Sequence, residues 1–95
     1  MNTVGYKKVQ GAILEVLPVG TEVEEWGGAW RAPAVEVLRA LPTGGKEWML
    51  EGTYRSLREA SCLYTVGQVT RASTWDELGN DGIYYYRTFE QARRY

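Results

Sequence analysis

Apolar and polar positions alternate along this chain in short stretches punctuated by Gly, Pro and polar clusters, and most of those stretches read as strands. The clearest local signals lie in residues 63–95. Residues 63–70 (LYTVGQVT) form a strand pattern with a glycine inside it, 74–78 a short capped helical turn, 79–82 (GNDG) a reversal, 83–87 (IYYYR) a strand and 89–94 a helix. Both helix starts carry a capping box, Thr74 with Glu77 and Thr88 with Gln91, in which a hydroxyl and a later side chain satisfy orphan backbone N–H groups.

Upstream, residues 9–17 (VQGAILEVL) have β-branched residues and too few polar positions for a solvent-facing helix. They read as a mostly buried strand stopped by Pro18 and turned by Gly20, with a helix as the alternative. Residues 21–25 are a polar extended piece whose glutamates suit a sheet edge, where charge opposes strand-to-strand aggregation. In residues 32–41 (APAVEVLRAL), Val35, Leu38 and Leu41 fit one helical face, while Val35 and Val37 fit one strand face; Pro33 and the β-branched pair favour the strand. Residues 42–45 (PTGG) make a hairpin-like turn, 46–54 a returning strand, and 55–61 an irregular helical turn before a strand that begins at Cys62. Residues 1–8 read as a lead-in. The expectation is a single α+β domain over residues 1–95, mostly antiparallel sheet with short helices, one of them at the C-terminus.

Composition narrows the chemistry. Ninety-five residues support one modest core, and no apolar run approaches the roughly 20 residues of a membrane span. The N-terminal MNTVGYKK has no apolar signal region, so the expected location is the cytoplasm, that of the host cell if the chain is phage-encoded. One cysteine, Cys62, and no histidine leave the common zinc and haem ligand sets empty, and a Ser or Cys nucleophile lacks its usual base. No metal, cofactor or catalytic residue is expected. A net charge of −1 argues against bulk nucleic-acid binding.

Two biases point towards recognition. Arginine outnumbers lysine 8 to 3, and four Trp and seven Tyr stand against one Phe. Arginine offers a flat bidentate fork for carboxylate or phosphate, and the rings offer stacking surfaces with polar handles. The candidate ligand-binding residues are Trp26, Trp30 and Arg31, around the glycine pair 27–28, and Arg71, Trp75, Tyr84, Tyr86 and Arg87 near the tyrosine run. Alternation puts Tyr84 and Tyr86 on one strand face and Tyr85 on the other. Structural roles compete with each of these: two Trp anchors pinning a loop, and rings paired across strands.

The stretches LYTVGQV and GIYYYRTFEQARRY resemble the small uncharacterised domain that follows pentapeptide-repeat arrays in bacterial and phage proteins. That family shows a Tyr-x-Val-Gly segment and, later, a Gly-Ile-His-Phe-Phe run leading into a short helix. Residues 30–38 (WRAPAVEVL) are similar to the family's Cys-Arg-Ala segment, so the resemblance covers about residues 7–95 and supports the strand reading of 34–41. Trp30 stands in place of the family's Cys and Tyr84 in place of its His, so a shared metal or nucleophile role is not carried over; Arg31, Gly67, Gly82 and the aromatic strand are. The resemblance implies a phage or mobile-element context, where domains of this size act as stoichiometric binders.

These readings lead to a non-enzymatic binding protein that sequesters a nucleotide-like host signalling ligand, in effect an anti-defence nucleotide sponge. The alternative is a protein–protein inhibitor of a host defence complex, anti-CRISPR-like. A small transferase or hydrolase built on Glu and Tyr ranks third. A homo-oligomer is expected as a way to bury a ring-rich surface, and no membrane partner is expected.

Overall fold

The computed structural model describes residues 3–43, 52–58 and 62–94. Its strands are β1 (Gly5–Val9), β2 (Ala12–Val19), β3 (Val23–Glu24), β4 (Ala29–Ala32), β5 (Ala34–Pro42), β6 (Thr53–Arg55), β7 (Leu63–Thr65), β8 (Val69–Arg71) and β9 (Ile83–Tyr86). Helix α1 (Phe89–Arg94) follows β9, and a single 3-10 turn occupies Trp26–Gly28. All strand pairs are antiparallel; seven strands run in the order β3-β4-β9-β1-β2-β5-β8, and β6 pairs with β7 separately.

Only Pro33 separates β4 from β5, yet β4 pairs with β9 while β5 pairs with β2. One backbone, kinked at a proline, therefore belongs to both ends of the series β4-β9-β1-β2-β5, and the sheet curls back on itself through that covalent link into a ring, with β3 and β8 as its edge strands. The curl encloses the alternate, inward side chains. A bulge opposite Glu15 and Val16, where the partner register jumps from Arg39 to Val37, supplies part of the bend. The ring is loosest between β1 and β9, where Tyr6 opposite Tyr86 is the single paired position among the described residues.

Inside lie Val9, Leu14, Val16, Val35, Val37, Ile83 and Tyr85, joined from the β6–β7 hairpin by Tyr54 and Tyr64. Gly5 lets β1 cross Tyr85: a Cβ there stands 2.6 Å from the ring and 2.9 Å from the Tyr86 carbonyl. On the outer face, Ile13 is fully buried opposite Lys8, and α1 lies across β1 and β2 with Ala92 buried and Phe89 edge-on to Tyr6.

Several expectations hold. Residues 34–41 and 83–86 are strands, Val23–Glu24 is an edge strand, and α1 starts from the Thr88 box, with Gln91 N–H donating to Thr88 Oγ1 and Thr88 N–H to Gln91 Oε1, both at 3.2 Å. The architecture is a small domain, mostly antiparallel sheet, with one short C-terminal helix among the described residues.

Others are corrected. The lead-in reading of residues 1–8 fails from Gly5 onward, because β1 is an inner strand of the large sheet. The mostly buried strand expected over 9–17 holds from Ala12, but Val9 ends β1, Gln10 and Gly11 turn the chain, and Pro18 does not stop the strand. β1 ends opposite Val16, so at Pro18 strand β2 has a neighbour on one side only, where a residue lacking N–H is tolerated. Residues 63–70 form two strands, because Gly67 (φ 87°) turns the chain between β7 and β8.

Residues 74–78 form no helix. The Asp81 carboxylate accepts from Asp76 N–H at 2.7 Å, Asp76 itself accepts from Leu78 N–H at 2.9 Å, and these local bonds outcompete a helical turn. Of 55–61, Arg55 ends β6, Ser56 bridges to Val9 and 57–58 bend, while 59–61 lie outside the described residues, as do 44–45 of the expected turn and 46–51 of the expected strand.

Candidate functional site

Arg31 is 2% exposed, a charge fully inside the protein. It sits on β4 opposite Tyr84, on the outer face, and the 74–81 loop covers it. Its Nε–H donates to the Glu25 carboxylate; Nη1 donates to the carbonyls of Asp76 (2.8 Å) and Asp81 (3.1 Å), and Nη2 to that of Glu77 (2.7 Å). The guanidinium carbon lies 5.0 Å from the Trp75 ring centroid. A buried cation is tolerable only with such complete engagement. Arg31 and Trp75, which the sequence reading placed in different groups, are brought together as the clasp of a loop rather than the mouth of a pocket.

Trp30 and Arg87 form a second pair, with the guanidinium carbon 4.1 Å from the indole centroid. Arg87 also bridges Glu22 at 2.9 Å and donates to the Thr3 carbonyl at 3.1 Å. Glu22 accepts a hydrogen bond from the hydroxyl of the buried Tyr85. Burial, that hydrogen bond and the Glu22 charge push the Tyr85 phenol far above its usual range, against a smaller opposing effect of Arg87. Trp26 stands 97% exposed at the 3-10 turn, Arg71 is exposed on the edge strand β8, and of the eight only Tyr84 and Tyr86 line the cavity described below. The eight candidate residues therefore do not share one concavity.

Tyr84 and Tyr86 do share one. Below the Tyr6–Tyr86 pair, β1 and β9 diverge, and a cavity of about 420 Å³ opens there, walled also by the β6–β7 hairpin and the 72–82 loop. Lys7, Lys8, Arg58, Tyr64, Tyr84 and Tyr86 are among its lining residues. Lys7 shares a strand face with Gly5 and Val9; its ammonium donates to the Tyr84 carbonyl across the gap at 2.8 Å and lies 5.8 Å from the Tyr64 ring centroid. It replaces with a side chain the ladder bond that the diverging strands cannot make. Lys8 points to the other face and donates to the Arg93 carbonyl at 3.4 Å.

The rim of the cavity is polar. Ser56, Ser73, Thr74 and Asn80 border it, and the Tyr84 hydroxyl donates to the Asn80 carbonyl at 2.8 Å. Asp81 is the one acid in the lining among the described residues. Partial burial works to raise its pKa, but the Asp76 N–H, the Thr74 hydroxyl and the Arg31 charge outweigh that and hold the carboxyl below its usual value. Gly82 (φ 105°) begins β9 beneath Trp75: a Cβ there stands 2.7 Å from the indole and 3.0 Å from the Ala32 carbonyl. Trp75 thus fixes the loop that forms one wall.

Sequence reasoning missed Lys7, Lys8, Arg58, Tyr64 and Asp81. One signal was present: adjacent lysines on a strand must point to opposite faces, so one of the pair had to turn inward. Among the described residues, no three Cys, Asp or Glu side chains gather to hold a metal, and no helix is long and apolar enough to cross a membrane. Compared with protein-family models, curated proteins and solved structures, the chain matches none.

Proposed function

We propose that this protein binds, without converting, a small anionic ligand of the nucleotide class in the cavity between β1 and β9. The supporting observation is the composition of that lining among the described residues: Lys7, Lys8 and Arg58 against the acid Asp81, with the Tyr84 and Tyr86 phenols beside them. Cations fit phosphate, phenol rings fit a base, and about 420 Å³ lies within the 300–1,000 Å³ typical of small-molecule sites. The cations differ from those first expected, because neither Arg31 nor Arg87 is among the residues lining the cavity. The resemblance of the C-terminal third to the domain following pentapeptide-repeat arrays suggests a phage or mobile-element setting, in a host cytoplasm, where sequestering a signalling nucleotide blunts a defence response.

A thermal-shift panel of linear and cyclic mono- and dinucleotides tests this. A ligand present at 100 times its Kd adds about 2.7 kcal/mol to stability, so a member of the binding class raises Tm clearly. Lys8→Ala and Tyr86→Ala weaken the effect at least tenfold, whereas Arg71→Ala leaves it unchanged. A panel that leaves Tm unmoved throughout contradicts the reading, and turnover of a ligand contradicts its non-enzymatic part.

A further inference from the structure

Two large apolar side chains stand almost wholly in solvent, Trp26 at 97% and Leu78 at 95% exposure, although most of the other apolar bulk is at least partly covered. They lie on different loops, far apart in sequence, yet both loops are fastened to Arg31. Glu25, the residue before Trp26, takes its Nε–H; the carbonyl of Glu77, the residue before Leu78, takes its Nη2–H at 2.7 Å. The fastening continues on each side. Glu25 N–H donates to the Ala29 carbonyl at 2.7 Å, closing the turn that carries Trp26, and Leu78 N–H donates to the Asp76 carboxylate. A buried guanidinium thus holds two projecting hydrophobes in fixed relation, and such preorganised anchors characterise recognition surfaces.

The two segments are acidic: residues 22–28 and 76–81 contain six carboxylates and no Lys or Arg. Glu22 is paired with Arg87, and Glu25 and Asp81 lie against Arg31, while Glu24, Asp76 and Glu77 are exposed. Such a rim repels phosphate, which rules against nucleic acid and anionic lipid as occupants. A second copy meeting the same end in a two-fold contact sets acid against acid. The remaining partner is a protein surface of opposite character.

We propose that this end of the molecule docks onto a basic protein face bearing an apolar recess, with Trp26 and Leu78 entering the recess and the surrounding carboxylates pairing with Lys or Arg at its rim. The two anchors, Trp26 and Leu78, do not line the cavity of the proposed function, although Asp81 borders both, and the docking proposal does not depend on that reading.

The test uses the whole protein, labelled for NMR, and a synthetic helical peptide with leucines on one face and lysines on the other; a peptide with glutamate in place of lysine is the counterpart. The lysine peptide is expected to shift the Trp26 indole N–H and the Leu78 methyls, with binding that weakens as salt rises. Trp26→Ala and Leu78→Ala each weaken it at least tenfold; both positions are exposed, so the variants keep the fold. The glutamate peptide and anionic vesicles leave the signals still. Equal binding of both peptides, binding unaffected by Trp26→Ala, vesicle binding, or a concentration-dependent dimer lost in Trp26→Ala each overturns the proposal. Because Trp26→Ala leaves the cavity intact, nucleotide binding in that variant stays at the wild-type level, which separates failure here from failure of the proposed function.

Discussion

Arg31 satisfies four acceptors at once, and only a guanidinium has the geometry for it. Arg31→Lys keeps the charge but supplies one compact ammonium, leaving partly buried carbonyls of the 76–81 loop without donors. We expect a loss of about 3–5 kcal/mol in urea unfolding, nearly as much as Arg31→Ala, whereas a loss under 1 kcal/mol contradicts the clasp. Asp81 gives a pH signature. Its folded pKa lies below the unfolded value of about 3.8, so its contribution is complete above that value and is lost as pH falls through the lower folded one. The stability difference between the protein and Asp81→Asn is therefore expected to be constant at neutral pH and to shrink towards zero only in acid. A difference that persists at the lowest pH at which the protein stays folded contradicts the assignment.

At the level of elements, two identical local signals had opposite outcomes. Thr88-x-x-Gln91 caps a helix because nothing else competes for its groups and Ala92 is buried against the sheet. Thr74-x-x-Glu77 caps none, because Asp76 and Asp81 offer nearer bonds and Arg31, on a strand more than 40 residues earlier, draws the carbonyls of the segment towards itself. The strand pattern of 34–41 and the alternation of Tyr84, Tyr85 and Tyr86 were legible because they depend on neighbours in sequence. The loop clasp and the place of β1 depend on partners far away, and no local pattern records them. Thr88→Ala is expected to cost about 1 kcal/mol and to speed amide exchange selectively in α1; unchanged exchange there contradicts the cap.

For the whole molecule, the core holds the phenols Tyr54, Tyr64 and Tyr85, of which Tyr85 donates to the Glu22 carboxylate. Tyr85 has its pKa raised by burial and by Glu22, so the fold disfavours its charged form. Stability is complete below the unfolded value near 10 and falls as pH rises beyond it, by up to about 1.4 kcal/mol per pH unit. Tyr85→Phe should remove that alkaline slope while costing about 1–2 kcal/mol at neutral pH; an unchanged slope contradicts the assignment. The ring of strands explains why the candidate site was half legible. Tyr84 and Tyr86 were named from alternation, but the cavity they border exists because β1 and β9 part company, and that needs the curled sheet to be seen. Of the arginines singled out for phosphate, Arg31 is buried in a loop clasp, Arg87 is paired with Glu22 and Arg71 is exposed on β8, while the lysines of the overlooked first strand line the opening.

The central claim, that the β1–β9 cavity receives an anionic ligand, is tested most directly by an NMR titration of the labelled protein with the nucleotide giving the largest rise in Tm, or, if Tm does not move, with each nucleotide of the panel. The account predicts shifts at Lys8, Ser73, Tyr84 and Tyr86, saturating together, while Trp26 and Arg71 stay still. Saturable shifts confined to residues outside the cavity, or no saturable shift with any nucleotide, contradict it.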